Sequence, residues 1–71
     1  MTTRPIAFGA TVLDIDGVER SNLEILFDGS RIIYRALDGA EYQSRKLLGA
    51  NFLIPPVEAA IIMREYGGSN G

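Results

Sequence analysis

Two aspartates stand two residues apart at the end of an apolar stretch, in the segment TVLDIDGV that begins at Thr11. Paired carboxylates, here Asp14 and Asp16, are residue types that serve as nucleophiles, proton carriers and metal ligands. The same letters are typical of a tight hairpin turn, because Asp-Gly tolerates the left-handed backbone that such turns need. The choice between a reactive site and a turn depends on the rest of the chain.

The segment resembles the nucleophile signature of the haloacid dehalogenase superfamily, an apolar strand followed by Asp-x-Asp-Gly. The resemblance implies phosphoryl transfer, with Asp14 as nucleophile, Asp16 handling the leaving-group proton, and magnesium beside both. That chemistry also needs a lysine, a hydroxyl and further acids at the strand ends of a parallel α/β sheet. Each parallel crossover takes about 30 residues, whereas this chain has 71 residues and a single lysine, Lys46. We therefore interpret the segment as a hairpin turn.

Three other kinds of site lack the residues they need. A calcium loop that begins at Asp14 requires an acid at its twelfth position, which is Ile25. The glycines form no phosphate-cradling run ahead of a helix. Cysteine and histidine are absent, so disulfides and the usual zinc ligand sets cannot be assembled. The sequence predicts a protein that is not an enzyme and has no catalytic residues, no cofactor and no metal.

Length and composition predict one small domain. Hydrophobic residues make up 46% of the chain, which is typical of a sequence that folds. Below roughly 70–80 residues, however, a single core rarely supplies more than about 3–5 kcal/mol of stability. We predict one domain over residues 1–66, a flexible tail over residues 67–71, and added stability from self-association or from a partner.

Asp-Gly occurs three times, at positions 16–17, 28–29 and 38–39, each time between apolar segments. Turn signals about 8–12 residues apart are typical of small antiparallel sheets. We predict strands over residues 6–15, 22–27, 31–37 and 40–47. The predicted fold is α+β: an antiparallel meander of about four strands, curled or partly closed as in an SH3-like barrel, with a C-terminal helix.

The last two hairpins predict two opposite faces, because side chains alternate along a strand. The apolar face is predicted to hold Leu23, Ile25, Phe27, Ile32, Tyr34, Ala36, Ala40, Tyr42 and Ser44. The opposite face is predicted to pair Arg35 with Glu41, Ile33 with Gln43, and Arg31 with Arg45, beside Glu24 and Leu26. An apolar centre with a charged rim is typical of a protein interface.

We predict that this second face binds a protein partner through Arg31, Ile33, Arg35 and Arg45, with the arginines pairing charges and Ile33 as the apolar anchor. One alternative is a solvated face with internal ion pairs. Another is a small-barrel nucleic-acid surface, in which the arginines and Lys46 contact phosphates. The predicted register turns both tyrosines of the sheet to the other face, which removes a stacking platform for bases.

The segment PPVEAAIIMREY predicts a helix over residues 56–66, because Pro56 suits a first turn, Glu58 suits its positive end, and Gly67 is a stop signal. A fifth strand over residues 57–66 is the alternative. Apolar residues cover more than half of the helix, so we expect burial against the sheet and a second contact with a partner. Ile61, Ile62 and Met63 are the candidate oligomer face. Phe52, Leu53 and Ile54 are expected to pack as a linker across the core.

Net charge and hydropathy bear on the partners and the location that we expect. The net charge is −2, although residues 31–46 carry four basic residues against two acidic ones. No apolar run approaches the roughly 18–20 residues of a membrane span, and the N-terminus lacks the apolar stretch of a secretory signal. We predict a cytoplasmic, homo-oligomeric protein-binding module, acting as a regulator, an inhibitor or an accessory subunit without membrane contact. The alternative is a small-barrel nucleic-acid-binding protein.

Overall fold

A computed structural model describes residues 3–66 of the chain. Five strands, β1 (Arg4–Asp14), β2 (Glu19–Phe27), β3 (Ile32–Arg35), β4 (Glu41–Tyr42) and β5 (Ser44–Phe52), are followed by one helix, α1 (Pro56–Tyr66). All strands belong to one antiparallel sheet, so the predicted α+β fold with a C-terminal helix is confirmed. The tail predicted over residues 67–71 lies outside the described residues.

Strands β1 to β4 form the predicted meander, and β5 lies on the other side of β1, which gives the order β4-β3-β2-β1-β5. The register of the β3–β4 hairpin is also as predicted, with Tyr34 opposite Tyr42 and Arg35 opposite Glu41. Its turn is closed by hydrogen bonds from Gly39 N–H to the Ala36 carbonyl and from Ala36 N–H to the Ala40 carbonyl. Gly39 has a φ of 92°, a conformation that glycine adopts without strain.

β4 and β5 are successive parts of one segment, separated only by Gln43. This segment pairs with β3 up to Tyr42 and with β1 from Ser44 onward. Residues 44–47 form a strand, as predicted, but the single strand expected over residues 40–47 is interrupted at Gln43. The β3–β4 ladder does not contain the expected pairs of Ile32, Ile33 and Arg31 with residues 43–45, so that part of the predicted register is wrong. Pairing with the 11 residues of β1 offers a longer ladder than the 4 residues of β3. β4 and β5 stand at opposite ends of the strand order although they follow each other in the chain. The sheet is therefore curled, but it is not a closed barrel.

The core is built mainly from β1 and β2. Ile6, Val12, Leu23 and Ile25 are fully buried, and Ala7, Ala10, Tyr34 and Ile62 complete the cluster. Each large apolar side chain that is fully buried contributes roughly 1.5–3 kcal/mol. Ile6 and Ala7 are both buried although they are adjacent, because the register of β1 shifts between Pro5 and Ala7 and such a bulge turns successive side chains to the same side.

A second irregularity in β1 lies at Gly9, where φ is 58°. A Cβ atom at this position would lie 2.9 Å from the side-chain nitrogen of Asn51 on β5. Glycine is therefore favoured by the backbone conformation, and a larger residue would also have to displace the Asn51 side chain. The ladders of β1 with β2 and with β5 both shift register around this residue.

Helix α1 has the predicted bounds, so the alternative of a fifth strand over residues 57–66 is wrong. Its inner side buries Ala59 and Ile62. The Arg4 guanidinium lies 3.0 Å from the Glu58 carboxylate near the start of the helix, and at its end the ring centroids of Phe27 and Tyr66 are 4.7 Å apart. These two contacts attach the helix to β1 and β2. Within residues 3–66 no helix is long and apolar enough to cross a membrane.

The segment between β5 and the helix packs less than predicted. Only Ile54 packs against the core, whereas Phe52 and Leu53 are exposed. The N–H of Leu53 donates to the Ile6 carbonyl over 2.8 Å, so the backbone of this segment continues the ladder with β1 while its two large side chains face solvent. The expectation of a core-crossing linker is therefore correct for one residue of three.

Candidate functional site

Asp14 lies at the end of β1, and its side chain is only 6% exposed. Its Oδ1 accepts hydrogen bonds from the backbone N–H groups of Asp16, over 2.9 Å, and of Val18, over 2.8 Å. The backbone N–H of Asp14 in turn donates to the Val18 carbonyl. An aspartate that binds the backbone two and four residues ahead closes a turn, so Asp14 holds the β1–β2 hairpin together.

Arg20 on β2 completes the surroundings of that carboxylate. Its Nε donates to Asp14 Oδ2 over 3.0 Å, and its guanidinium carbon lies 4.7 Å from the ring centroid of Tyr42. A cation over an aromatic ring is a favourable cation–π contact. This chain of contacts connects the β1–β2 hairpin to β4. The sequence analysis missed it, although an arginine shortly after an Asp-Gly turn is the signal that it offered.

Both oxygens of Asp14 are occupied by donors from its own chain. A nucleophilic carboxylate needs an oxygen that faces the reacting atom, whereas Oδ1 faces the hairpin backbone and Oδ2 faces Arg20. Asp16 contributes its backbone N–H to the turn and is exposed. Across residues 3–66 no group of three or more acidic, His or Cys side chains could hold a metal ion. The geometry assigns Asp14 a structural role in the hairpin.

We expect the fold to lose stability as the pH falls below about 4. The Val18 N–H lowers the pKa of Asp14 from its usual 3.8, and Arg20 and the Asp16 N–H act in the same direction against the effect of burial. The N–H groups of Ser30 and Arg31 lower the pKa of Asp28 in the same way. A carboxyl group with a lowered pKa stabilises the fold above its unfolded pKa, and this contribution is lost as the pH falls through the folded value.

Thermal unfolding between neutral and acidic pH measures this loss, and NMR titration of the Asp14 carboxyl carbon identifies its source. The titration should give a midpoint below 3.8. A midpoint at or above that value would contradict the hydrogen bonds assigned to Asp14.

The predicted partner face separates into parts with different surroundings. Arg31 lies 3.6 Å from Asp28 and 3.9 Å from Glu41, and Arg35 lies 3.4 Å from Glu41. Two arginines are thus balanced by two acids of the same chain. Because these ion pairs are at the surface, each contributes little to stability. They nevertheless reduce the positive potential that these arginines offer to an acidic partner or to phosphates.

Ile33 does not lie at the surface as the predicted anchor requires, since only 6% of it is exposed. It stands opposite Leu26, whose neighbour on the other side is Pro5. The three apolar residues are therefore adjacent across three strands, and Leu26 is buried as well. Alternation places Ile33 on the face with Arg35, as predicted, but its side chain is not available for contact with a partner.

Arg45 and Lys46 belong to a different part of the sheet, because β5 pairs with β1. Lys46 lies opposite Leu13, and neither basic side chain forms an ion pair with another residue in the described part of the chain. Arg45 is consequently separated in the sheet order from Arg31 and Arg35. The four residues of the predicted site therefore do not lie on one ladder of neighbouring strands.

Helix α1 carries a second apolar stripe that faces away from the core. Val57 is 73% exposed, Ile61 is 45% exposed, and Ala60 between them is exposed as well. Together with Arg64 they follow the i, i+3, i+4, i+7 spacing of one helix side. We call these four residues the outer helix face. The sequence analysis did not include Val57 in its candidate face, although its four-residue spacing from Ile61 was the available signal.

The candidate oligomer face is divided between the two sides of the helix. Ile61 lies on the outer helix face, whereas Ile62 is 8% exposed and belongs to the core cluster. Met63 packs against that cluster. Of the three residues, only Ile61 is well placed to contact another molecule.

Comparisons of the chain with protein-family models, curated proteins and solved structures find no match.

Proposed function

We propose that this protein is a non-enzymatic protein-binding module, a regulator, inhibitor or accessory subunit that docks the outer helix face on another protein. The observation that carries the proposal is the exposure of Val57 and Ile61 on successive turns of a helix whose other side is already buried in the core. Anchors at i, i+3, i+4 and i+7 are typical of a helix that binds in an apolar groove. The partner we expect is a protein with such a groove.

The free energy of binding shows how many side chains the groove must accept. Full burial of a large aliphatic side chain contributes roughly 1.5–3 kcal/mol, and Ile61 is already half covered by its own chain. A micromolar complex requires about 8 kcal/mol, so Val57 and Ile61 alone are insufficient. Leu53, three residues before the helix, is also exposed and is available for a further apolar contact, and Arg64 adds a charge at the end of the outer helix face. We therefore expect a groove that accepts these side chains and carries an acid near Arg64.

Nucleic-acid binding is the second candidate, favoured by the adjacent Arg45 and Lys46, which form no ion pair with any other residue of the part that the structure describes. The internal ion pairs of Arg31 and Arg35 leave few cations for phosphates. Each phosphate contact contributes a slope of about −0.9 to the logarithmic salt dependence of affinity. Two contacts predict a shallow slope and weak binding, which is why we favour the protein partner.

The test is affinity capture from a lysate of the protein's own source, with and without nuclease, using the full chain and matched variants. Val57→Gln with Ile61→Gln removes both anchors, and Leu37→Gln is the control, because Leu37 is 90% exposed in the β3–β4 turn. We expect wild type and the control to retain the same nuclease-resistant protein, and the double variant to lose most of it while its Tm is unchanged.

Equal capture by the double variant would contradict the outer helix face as the binding surface. Capture that disappears with nuclease, and also in an Arg45→Gln/Lys46→Gln variant, would establish the nucleic-acid alternative instead.

A further inference from the structure

β5 pairs with a neighbour along one side only. It is 9 residues long, and as the last strand in the order it pairs, among residues 3–66, with β1 alone. The Leu53 N–H points to β1, so alternation turns the N–H and C=O groups of Phe52 and Ala50 toward the free side. We call this side the outer edge of β5. A long unpaired edge is a template for another strand.

Gly49 lies in the middle of β5, next to a register shift between β1 and β5. Unlike Gly9, it has no positive φ, and nothing lies within 4 Å of the position that a Cβ atom would occupy. Glycine weakens a strand interior, and it often marks a place where another backbone approaches closely. On an exposed edge, such a glycine points to a second strand.

The sequence of β5 is complementary to itself. Leu48 and Phe52 are exposed, at 48% and 40%, and both charged residues, Arg45 and Lys46, stand near the start of the strand. In an antiparallel pair with a two-fold axis through Ala50, Leu48 of each copy lies opposite Phe52 of the other. Residues 48–52 of the two copies then pair with each other, and the cations of each copy lie beyond this segment, far from those of the other copy.

Other symmetric registers fit less well. An axis through Gly49 sets Lys46 opposite Phe52, and an axis through Leu48 sets Ser44 opposite Phe52. Only the axis through Ala50 pairs the two exposed large side chains with each other in both halves. It also sets Gly49 opposite Asn51 as a non-hydrogen-bonded pair, because the N–H groups of both residues point toward β1 of their own chain. The Cα atoms of such a pair are only about 4.5 Å apart.

We infer that the outer edge of β5 binds a second copy of this chain through antiparallel β5–β5 pairing centred on Ala50. The two sheets become continuous, and the exposed Leu48 and Phe52 cover each other. The added buried area suits a chain whose own core is small. This surface shares no residue with the outer helix face, so the dimer can fail its test while the proposed function stands, and the reverse.

Two double variants of the full chain test the register by sedimentation velocity over a wide range of concentration. Leu48→Lys/Phe52→Lys places like charges opposite each other across both pairs, and Leu48→Glu/Phe52→Lys places opposite charges there. Within one chain the two positions are about 13 Å apart along the strand, so they do not interact in the monomer. The Lys/Lys variant has a net charge of zero, and the Glu/Lys variant keeps the net charge of −2. Repulsion between the net charges of two copies would therefore weaken the Glu/Lys dimer more, which is the opposite of the effect expected from the cross-strand pairs.

We expect wild type to dimerise and the Lys/Lys variant to dissociate at least roughly tenfold more readily than the Glu/Lys variant, because cross-strand like charges destabilise and opposite charges stabilise. A wild-type chain that is monomeric at every concentration would overturn the inference. Equal dissociation constants for the two double variants would overturn it as well.

Discussion

Asp14→Ala is expected to lower the Tm of this protein by more than about 10 °C. The substitution removes the acceptor of three hydrogen bonds, from the Asp16 and Val18 N–H groups and from Arg20 Nε. Hydrogen bonds to a charged group are stronger than neutral ones, and donors left without a partner carry a desolvation cost. Arg20 also loses the carboxylate that holds it over Tyr42, and a domain of this length has little stability to lose.

Two further variants make the test specific. Asp14→Asn keeps an oxygen for the backbone N–H groups but loses the charge that faces Arg20, so its Tm should lie between those of wild type and Asp14→Ala. Asp16→Asn is the control, because that side chain is exposed, and its Tm should change by no more than a few degrees. Thermal unfolding followed by circular dichroism measures all three. Equal Tm values for Asp14→Ala and Asp16→Asn would contradict the structural role of Asp14.

The turns and the β3–β4 register could be predicted because local residues decide them. Asp-Gly fixes where the chain reverses, and alternation then fixes which side chains share a face. Tyr34 lies opposite Tyr42, and Arg35 opposite Glu41, for these two reasons alone. The helix bounds were predictable for a similar reason, since Pro56 and Glu58 are local signals of a first turn.

The change of partner at Gln43 could not be predicted in this way. Residues 43–47 can continue along β3 or turn to β1, and no glycine or proline marks the choice. The outcome depends on the length and bulges of β1, which are far away in the sequence. Arg45 was therefore placed opposite Arg31, whereas it lies on a different edge of the sheet. A predicted site that draws residues from several strands is correct only if every strand pairing is correct, including pairings between residues far apart in the sequence.

Ile33 illustrates a different limit. Its face was predictable from alternation, but its burial was not, because that depends on Leu26 and Pro5 across two further ladders. The alternation of side chains along a strand shows which face of the sheet each one is on, but it does not show whether other residues bury that side chain.

The orientation of the helix had the same ambiguity, because apolar residues cover both of its sides. The contacts of Arg4 with Glu58 and of Phe27 with Tyr66 fix which side is buried. Neighbouring isoleucines consequently have opposite surroundings: Ile62 lies in the core cluster, and Ile61 lies on the outer helix face. The two residues form a matched pair for measuring the orientation.

Ile62→Ala is expected to lower the free energy of unfolding by about 2–4 kcal/mol, because it removes buried methyl groups and leaves a cavity. Ile61→Ala should lower it by less than about 1 kcal/mol, since the side chain is already half in solvent and alanine has a high helix propensity. Urea unfolding followed by circular dichroism measures both. Against the roughly 3–5 kcal/mol that a core of this size supplies, the first variant loses most of its stability.

The same two variants separate folding from binding. If the outer helix face docks on a partner, Ile61→Ala weakens capture at nearly unchanged stability, whereas Ile62→Ala weakens capture only as far as the chain unfolds. Equal losses of stability would mean that the helix buries both isoleucines, and the outer helix face would then offer no anchor for a partner. A stable Ile61→Ala variant with unchanged capture would leave the orientation intact and remove Ile61 from the interface.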